Sequence, residues 1–124
     1  MRNRLRTYEP TPAPGLLVVE QVGTPVPIGY CGLVPNTVGR SEEPELAFEF
    51  LKEFWGRGFA TEASRVIIDQ AAAIGYGRLS STVREWNTAS LRVLDKLGFV
   101  EHGERQPDPE HGDSIVLRRR LAGW

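Results

Sequence analysis

The sequence predicts a mixed α/β domain layered around one sheet. Three observations support this prediction: short β-prone runs bounded by turn residues, a stretch with apolar residues at every third or fourth position, and a length of 124 residues. The runs indicate strands and the length suits a single domain over residues 1–124. The periodic stretch indicates a helix packed on a sheet. Its apolar positions are Ala60, Ala63, Ile67, Ala71 and Ile74.

A hairpin is the first predicted unit, with strands at residues 16–22 and 28–34 on either side of the turn sequence VGTP. Residues 1–15 precede it and are rich in proline and arginine. We expect this segment to be poorly ordered or bound to a partner. The third strand, at residues 45–51, alternates in polarity. Its glutamates therefore point to one face of the sheet, and its leucine and phenylalanines point to the other.

Two helices and three further strands complete the predicted order. The long helix covers residues 58–74, and Gly75 is a natural end for it. The second helix covers residues 88–97, with Asn87 as its N-cap and Gly98 as its end. The remaining strands lie at residues 79–84, 99–104 and 114–121. This order of elements fits helices packed on a single mixed sheet.

Composition narrows the classes of protein and of partner. A net charge of −1 and a hydrophobic content of 40% are typical of a soluble globular chain with no general attraction to nucleic acid. Cys31 is the single cysteine, which excludes an internal disulfide and fits a reducing compartment. His102 and His111 have no paired cysteines, so no metal site is expected. With no signal peptide and no membrane-spanning stretch, we expect a cytoplasmic protein.

The sequence WGRGFA at residues 55–60 joins the third strand to the long helix. A helix start presents unpaired N–H groups and a partial positive charge, and small residues let a ligand approach them closely. Such a joint can hold a pyrophosphate, to which Arg57 can add a charge-assisted bond. A glycine turn that only redirects the chain is an equally good interpretation. Neither a P-loop nor a dinucleotide-binding fingerprint is present.

A second motif, NTASLRVLDKLGF, places Asn87 and Ser90 at the start of the short helix. Together, the two motifs resemble the GNAT superfamily of acyl-CoA-dependent N-acetyltransferases. PELAFEFLKEFWGRGFATEA looks like its acyl-CoA motif, and the second motif is similar to its Asn-x-x-Ser segment. The sequence of the two motifs most resembles the RimJ/RimL branch, which acetylates protein N-termini and related amines. The resemblance implies a GNAT-like, mostly antiparallel sheet flanked by helices.

The resemblance also implies acetyl-CoA as acyl donor and no metal. The pyrophosphate would lie against the N–H groups of the glycine turn, and the pantetheine arm would pair with the backbone of the third strand where the strands separate. Asn87 would orient the arm near the thioester. The implied cofactor-binding residues are Phe48, Phe50, Leu51, Trp55, Gly56, Arg57, Gly58, Phe59, Ala60, Thr61, Asn87 and Ser90.

For catalysis, the resemblance implies that Ser90 protonates the departing thiolate. The attacking amine must lose a proton to a base, for which Glu45 and Glu49 are the candidates. A solvent-facing glutamate is the alternative interpretation for each. Positioning of the two reactants would supply most of the rate. The acceptor amine stays open between a protein N-terminus and a small molecule, and the acidic residues Glu42, Glu43, Glu45 and Glu49 favour a cationic one.

The sequence departs from the family at its start. The family normally begins with a strand and a helix pair that form one wall of the acceptor pocket, and here only MRNRLRTYEPTPAPG precedes the hairpin. We expect the domain to lack that strand and helix pair, unless a second subunit supplies the wall in a homodimer or the chain is a shortened gene product. Two main hypotheses follow: an active N-acetyltransferase, and a non-catalytic acyl-CoA-binding or interaction module. A nucleotide-binding domain is a third.

Overall fold

The structure is a computed structural model that describes residues 4–8, 15–36 and 42–121. The strands in these residues are β1 (Leu5–Tyr8), β2 (Leu16–Gln21), β3 (Thr24–Val34), β4 (Glu45–Phe50), β5 (Arg78–Arg84), β6 (Val100–Gln106) and β7 (Ser114–Arg120). The α-helices are α1 (Phe59–Ile74) and α2 (Thr88–Lys96), and a short 3-10 helix spans Lys52–Phe54 between β4 and α1. The seven described strands form one sheet in the order β1-β2-β3-β4-β5-β7-β6, parallel only between β4 and β5. The predicted mixed, mostly antiparallel sheet is therefore confirmed.

Strand β1 is a correction to the sequence analysis, which expects residues 1–15 to be poorly ordered or bound to a partner and expects no strand ahead of the hairpin. It pairs antiparallel with β2 at the edge of the sheet. The N–H of Val22 donates to the carbonyl of Arg4 at 2.9 Å, and Arg6 forms an ion pair with the buried Glu20. The first contact pairs a backbone N–H with a backbone carbonyl, and the second neutralises the buried carboxylate of Glu20. Residues 1–3 and 9–14 of the same segment lie outside the described residues.

Strand β3 begins at Thr24, four positions before the predicted start at residue 28. The added stretch contains Pro25, which the sequence analysis assigns to the turn, and Pro27, which it leaves outside the strand. The β2–β3 ladder is irregular here, with register shifts on both sides of Glu20. Proline is tolerated where a ladder is irregular because no regular backbone hydrogen bond is lost.

The core lies between the helices and one face of the sheet. Helix α1 contacts β3, β4 and α2, so the two helices lie on the same side. Leu46 and Phe50 of β4 are buried on this side, whereas Glu49, on the opposite face, is exposed. The alternation predicted for the third strand is therefore confirmed, and the glutamate-bearing face is the one that α1 leaves open.

Cys31 is fully buried in this core, with its Sγ 3.5 Å from the Oγ of Ser64 on α1. Burial raises the pKa of the thiol to about 11, although the hydrogen bond between Cys31 and Ser64 opposes this. The thiolate fraction at pH 8 would then be on the order of 0.1%. This environment fits the predicted role of a small core residue and provides no nucleophile.

We therefore expect Cys31 to react with a disulfide reagent at pH 8 at least about 100-fold more slowly in the folded protein than in denaturant, because both the pKa and the burial of the thiol oppose attack. The measurement is the rate of thiol release under the two conditions, with free cysteine as the control for reagent reactivity. Labelling of the folded protein at the rate of the unfolded chain would show that the core around Cys31 is open.

Candidate active site

A gap in the sheet separates β4 from β5. The two strands have one paired position, Glu45 with Ser80. Two hydrogen bonds close this end of the gap: the Ser80 N–H donates to the Pro44 carbonyl at 3.1 Å, and the Ser81 hydroxyl donates to the Leu46 carbonyl at 2.8 Å. Beyond this point the described strands have no paired positions, so the backbone of β4 is open to a ligand. The predicted separation of the strands is present.

The open edge of β4 is defined by the direction of its backbone groups. The N–H of Leu51 donates to the Ile28 carbonyl on β3 at 2.9 Å, so the groups of Phe48 and Phe50 point toward the gap. The indole Nε1 of Trp55 donates to the Phe50 carbonyl at 2.8 Å. Phe48 is therefore best placed to pair with an extended ligand. The Leu51 N–H, included in the sequence prediction, is used by β3 instead.

The glycine turn joins β4 to α1 as predicted. Gly56 and Gly58 have φ angles of 75° and 80°, which place both in the left-handed region that favours glycine. Gly58 is the N-cap of α1, no side chain bonds to the helix start, and the first helical bond joins the Glu62 N–H to the Gly58 carbonyl at 2.9 Å. The N–H groups of residues 59–61 therefore have no capping side chain. Such a cradle fits an anion.

Arg4 is a residue of this region that sequence reasoning missed. Its Nε lies 2.7 Å from Glu62 Oε1, its NH1 donates to the Arg57 carbonyl at 3.3 Å, and its guanidinium lies 4.6 Å from the centroid of the Phe59 ring. Arg4 thus contacts the turn and the first turn of α1 together. The guanidinium of Arg57 lies over Phe54, at 5.4 Å from the ring centroid. The only sequence signal for Arg4 is the arginine cluster before the hairpin.

The start of α2 brings Asn87 and Ser90 together. Asn87 is the predicted N-cap, and its Oδ1 accepts from the Ser90 N–H at 3.1 Å. The cap uses Oδ1 and leaves Nδ2 as the donor that a ligand can use. Ser90 is half-buried. Trp86, immediately before the cap, donates from Nε1 to the His111 carbonyl at 2.8 Å, so the β6–β7 loop lies beside this helix start.

The two candidate bases lie on the same face of β4 but in different environments. Glu45 is half-buried at the closed end of the gap, where its carboxylate accepts a hydrogen bond from the Thr82 hydroxyl on β5. Glu49 is exposed and its Oε2 accepts from the Tyr30 hydroxyl at 2.8 Å. Burial raises the pKa of Tyr30, and the hydrogen bond to Glu49 raises it further, so the phenol stays protonated as a donor.

Within residues 4–8, 15–36 and 42–121, no three His, Cys, Asp or Glu side chains are grouped so that they could hold a metal ion. None of the described helices is long and apolar enough to cross a membrane.

Comparison with known proteins adds an independent finding. The sequence model of the family described as "Acetyltransferase (GNAT) domain" matches residues 1–100. The uncharacterized N-acetyltransferase p20 of Bacillus licheniformis is 32% identical over 79 residues, which are 61% of this chain and 43% of that protein. This chain spans about half the length of the curated relatives it matches.

Solved structures share the arrangement of strands and helices. The ribosomal-protein-S5-alanine acetyltransferase from Vibrio fischeri matches with a TM-score of 0.75 and 24% identity, over 88% of this chain and 62% of that one. The structure of yncA from Salmonella typhimurium with its cofactor acetyl-CoA matches with a TM-score of 0.73 and 22% identity, over 88% of this chain and 65% of that one. At these identities, the likeness shows the fold alone.

Proposed function

Because this chain belongs to the GNAT acetyltransferase family, we propose that it transfers an acetyl group from acetyl-CoA to a primary amine by direct attack in a ternary complex. The observation that carries the proposal is the gap between β4 and β5, which leads from Glu45 at its closed end toward the glycine turn at its open end. Bound acetyl-CoA would supply the acetyl group as an activated thioester.

The cofactor-binding residues are assigned from their free donors. The N–H groups of residues 57–60 would bind the pyrophosphate, because no side chain caps this helix start and its dipole favours negative charge. The backbone of Phe48 would pair with the pantetheine arm, since its groups face the gap. Asn87 would donate from Nδ2 to the same arm, as its Oδ1 is held by the cap.

The chemical step is assigned to Ser90 and Glu45. Glu45 would accept the proton of the amine, directly or through a water, as the new C–N bond forms. The C–S bond then breaks, and the Ser90 hydroxyl would donate a proton to the departing thiolate. Glu49 is the second candidate base. Each carboxylate accepts one hydroxyl hydrogen bond, so Glu45 is preferred for its position, half-buried at the closed end of the gap, whereas Glu49 is exposed. Cys31 takes no part because it is buried on the helix side of the sheet.

The acceptor is proposed to be an amine of the kind acetylated by the RimJ/RimL branch. This rests on the motif TEA after the turn, the Ser-x-Arg segment at residues 90–92, and the likeness to an enzyme that acetylates an alanine of ribosomal protein S5. One observation favours the second candidate function, an acyl-CoA-binding module: α1 and α2 share one side of the sheet, so no described helix forms a wall over Glu45 and Glu49.

Calorimetric titration with acetyl-CoA tests the proposal, because it examines the cofactor site without needing the acceptor. We expect saturable binding of one acetyl-CoA per chain that ATP does not compete away. Release of free CoA thiol in the presence of an amine then separates the enzyme from the module, which would bind without turnover. No binding, or displacement by ATP, would contradict the assignment and favour the nucleotide-binding hypothesis.

Arg4 provides a further test at the phosphate end of this site. We expect Arg4→Ala to weaken acetyl-CoA binding about 3- to 10-fold, because Glu62 would then present an unpaired carboxylate next to the bound phosphates. Binding of acetyl-pantetheine, which lacks the diphosphate, should stay unchanged in the same titration. The double variant Arg4→Ala/Glu62→Gln should regain most of the affinity.

The matched control is Arg65→Ala, which removes an exposed arginine of α1 that lies outside this network. It should bind acetyl-CoA as the unmodified protein does. Equal losses for acetyl-CoA and acetyl-pantetheine in Arg4→Ala would instead assign Arg4 a general structural role.

A further inference from the structure

A groove of about 390 Å³ lies on the glutamate-bearing face of the sheet, beside the closed end of the gap. The residues that line it are Glu43, Arg78, His102, Glu104, Arg118 and Arg120. Its position relative to Glu45 follows from the register. Glu45 pairs with Ser80 on β5, and Ser80 pairs with Arg118 on β7. Paired residues share a face, so the three side chains form a row in which Arg118 lies about 10 Å from Glu45.

Both glutamates of the groove are already neutralised. The buried carboxylate of Glu43 lies 3.3 Å from the Arg78 NH1 and 3.3 Å from the Arg118 Nε. The carboxylate of Glu104 accepts two hydrogen bonds from Arg118, one of them at 2.9 Å from NH2. These bonds lower the pKa of Glu104 and raise that of Arg118, so both groups stay charged. The four side chains together form a network with no net charge.

Arg120 is the arginine of the groove that this network does not include. It lies directly opposite Arg78 across the β5–β7 ladder, and like charges in that position repel each other. None of the ion pairs in the described part of the chain includes Arg120. An anion between the two guanidinium groups would remove the repulsion and accept charge-assisted hydrogen bonds from both. His102 adds a further donor at the same wall.

We propose that this groove binds a carboxylate of the acceptor between Arg78 and Arg120. That pair is centred about one and a half strand spacings across and two residues along from Glu45, so the acceptor is an amine carrying an acidic group about 10 Å from its amino nitrogen. The inference rests on the proposed acetyl transfer, because it takes Glu45 as the place of the amine. It reverses the expectation of a cationic acceptor. The sequence analysis includes Glu43 among the acidic residues that favour a cationic acceptor, whereas in the structure its carboxylate is paired with Arg78 and Arg118.

A binding experiment tests the groove without acetyl transfer. Glutarate, a small dicarboxylate, is titrated into the protein while the imidazole NMR signals of its two histidines are followed. His102 lines the groove, and His111 is an exposed residue of the β6–β7 loop that serves as the internal control. We expect His102 to shift saturably and His111 to stay unchanged. The shift should disappear in Arg120→Gln and persist in Arg65→Gln, which makes the same change of charge elsewhere.

A second experiment tests the class of acceptor. The value of kcat/KM is measured for two matched pairs: 6-aminohexanoate against 6-aminohexanamide, and Gly-Gly-Asp-amide against Gly-Gly-Asn-amide. The two pairs distinguish a free amino acid from an acidic peptide as the source of the carboxylate. In at least one pair, we expect the acid to be preferred about tenfold or more, mostly through KM. Arg120→Gln should lower kcat/KM for the acid to about that of its neutral partner, whereas Arg65→Gln should keep the preference.

The possible results separate this inference from the proposed function. A shift of both histidines, or of neither, overturns the anion site even if acetyl-CoA binds and turns over. A shift of His102 together with equal kcat/KM for acid and amide overturns the assignment to the acceptor. Failure to bind acetyl-CoA in the calorimetric titration overturns the proposed function, and with it the acceptor assignment, whatever glutarate does.

Discussion

Replacing Gly58 with valine should abolish acetyl-CoA binding and leave a folded protein. Gly58 has a φ of 80°, a conformation that costs a β-branched residue about 1–3 kcal/mol, and its side chain would stand at the N–H groups proposed to hold the pyrophosphate. A Cβ at this position would meet only Arg4, with NH2 at 3.6 Å, so the core is not disturbed. Calorimetry with acetyl-CoA measures the binding, and a thermal unfolding curve shows whether the variant is folded.

Gly23→Val is the matched control for this variant. Gly23 has a φ of 85°, a Cβ there would meet nothing within 4 Å, and the residue lies in the β2–β3 turn away from the gap. The two valines therefore impose similar backbone strain at different places. Gly23→Val should lose comparable stability and bind acetyl-CoA normally. Normal binding of acetyl-CoA by Gly58→Val would rule out the assignment of the glycine turn as the phosphate site. Loss of binding by both variants would show that backbone strain, and not the position of the valine, causes the loss.

Ser90→Ala should lower kcat about 100-fold or more while the affinity for acetyl-CoA stays within about twofold. Loss of a positioned general acid typically has an effect of this size. The helix start should survive, because Asn87 bonds to the backbone N–H of residue 90, which alanine retains. Steady-state release of CoA thiol gives kcat, and calorimetry gives the affinity.

Thr88→Ala is the control from the same helical turn, since Thr88 is exposed and precedes the cap contact by two residues. It should keep full turnover. An unchanged kcat in Ser90→Ala would assign the proton donor to another group or to water. Acetyl-CoA binding without any turnover in the unmodified protein would support the acyl-CoA-binding module instead.

The elements predicted well are those whose signals are local. The apolar spacing in α1, the left-handed cap at Gly75 and the Asn87 cap are fixed by neighbours within one or two helical turns, and the structure contains both caps. It buries Ala63, Ile67 and Ala71 of the predicted stripe, whereas Ile74, in the last turn of α1, is exposed, which corrects that position. Strand β1 depends instead on pairing with β2 across a distant part of the sequence. Nothing in residues 5–8 alone shows that the Val22 N–H will bond to Arg4.

The candidate site divides in the same way. The glycine turn and the alternating face of β4 could be predicted, because both follow from single-residue geometry. The ion pairs formed by the charged residues around the site could not be predicted. Glu43 is neutralised by Arg78 and Arg118, which are 35 and 75 residues away in the chain. The bond from Trp55 to the Phe50 carbonyl is local, but it depends on one rotamer and has no pattern in the sequence.

The one paired position between β4 and β5 has a mechanical consequence. In the described part of the chain, the sheet consists of a four-stranded part and a three-stranded part, whose strands pair at a single position, Glu45 with Ser80. Because the ladder between them has one paired position, side-chain contacts supply the rest of the connection: the Ser81 hydroxyl bonds to the Leu46 carbonyl, and Glu43 pairs with Arg78 and Arg118. The angle between the two parts of the sheet therefore depends on side-chain packing and ion pairs rather than on a continuous ladder, and the proposed base lies at the joint itself.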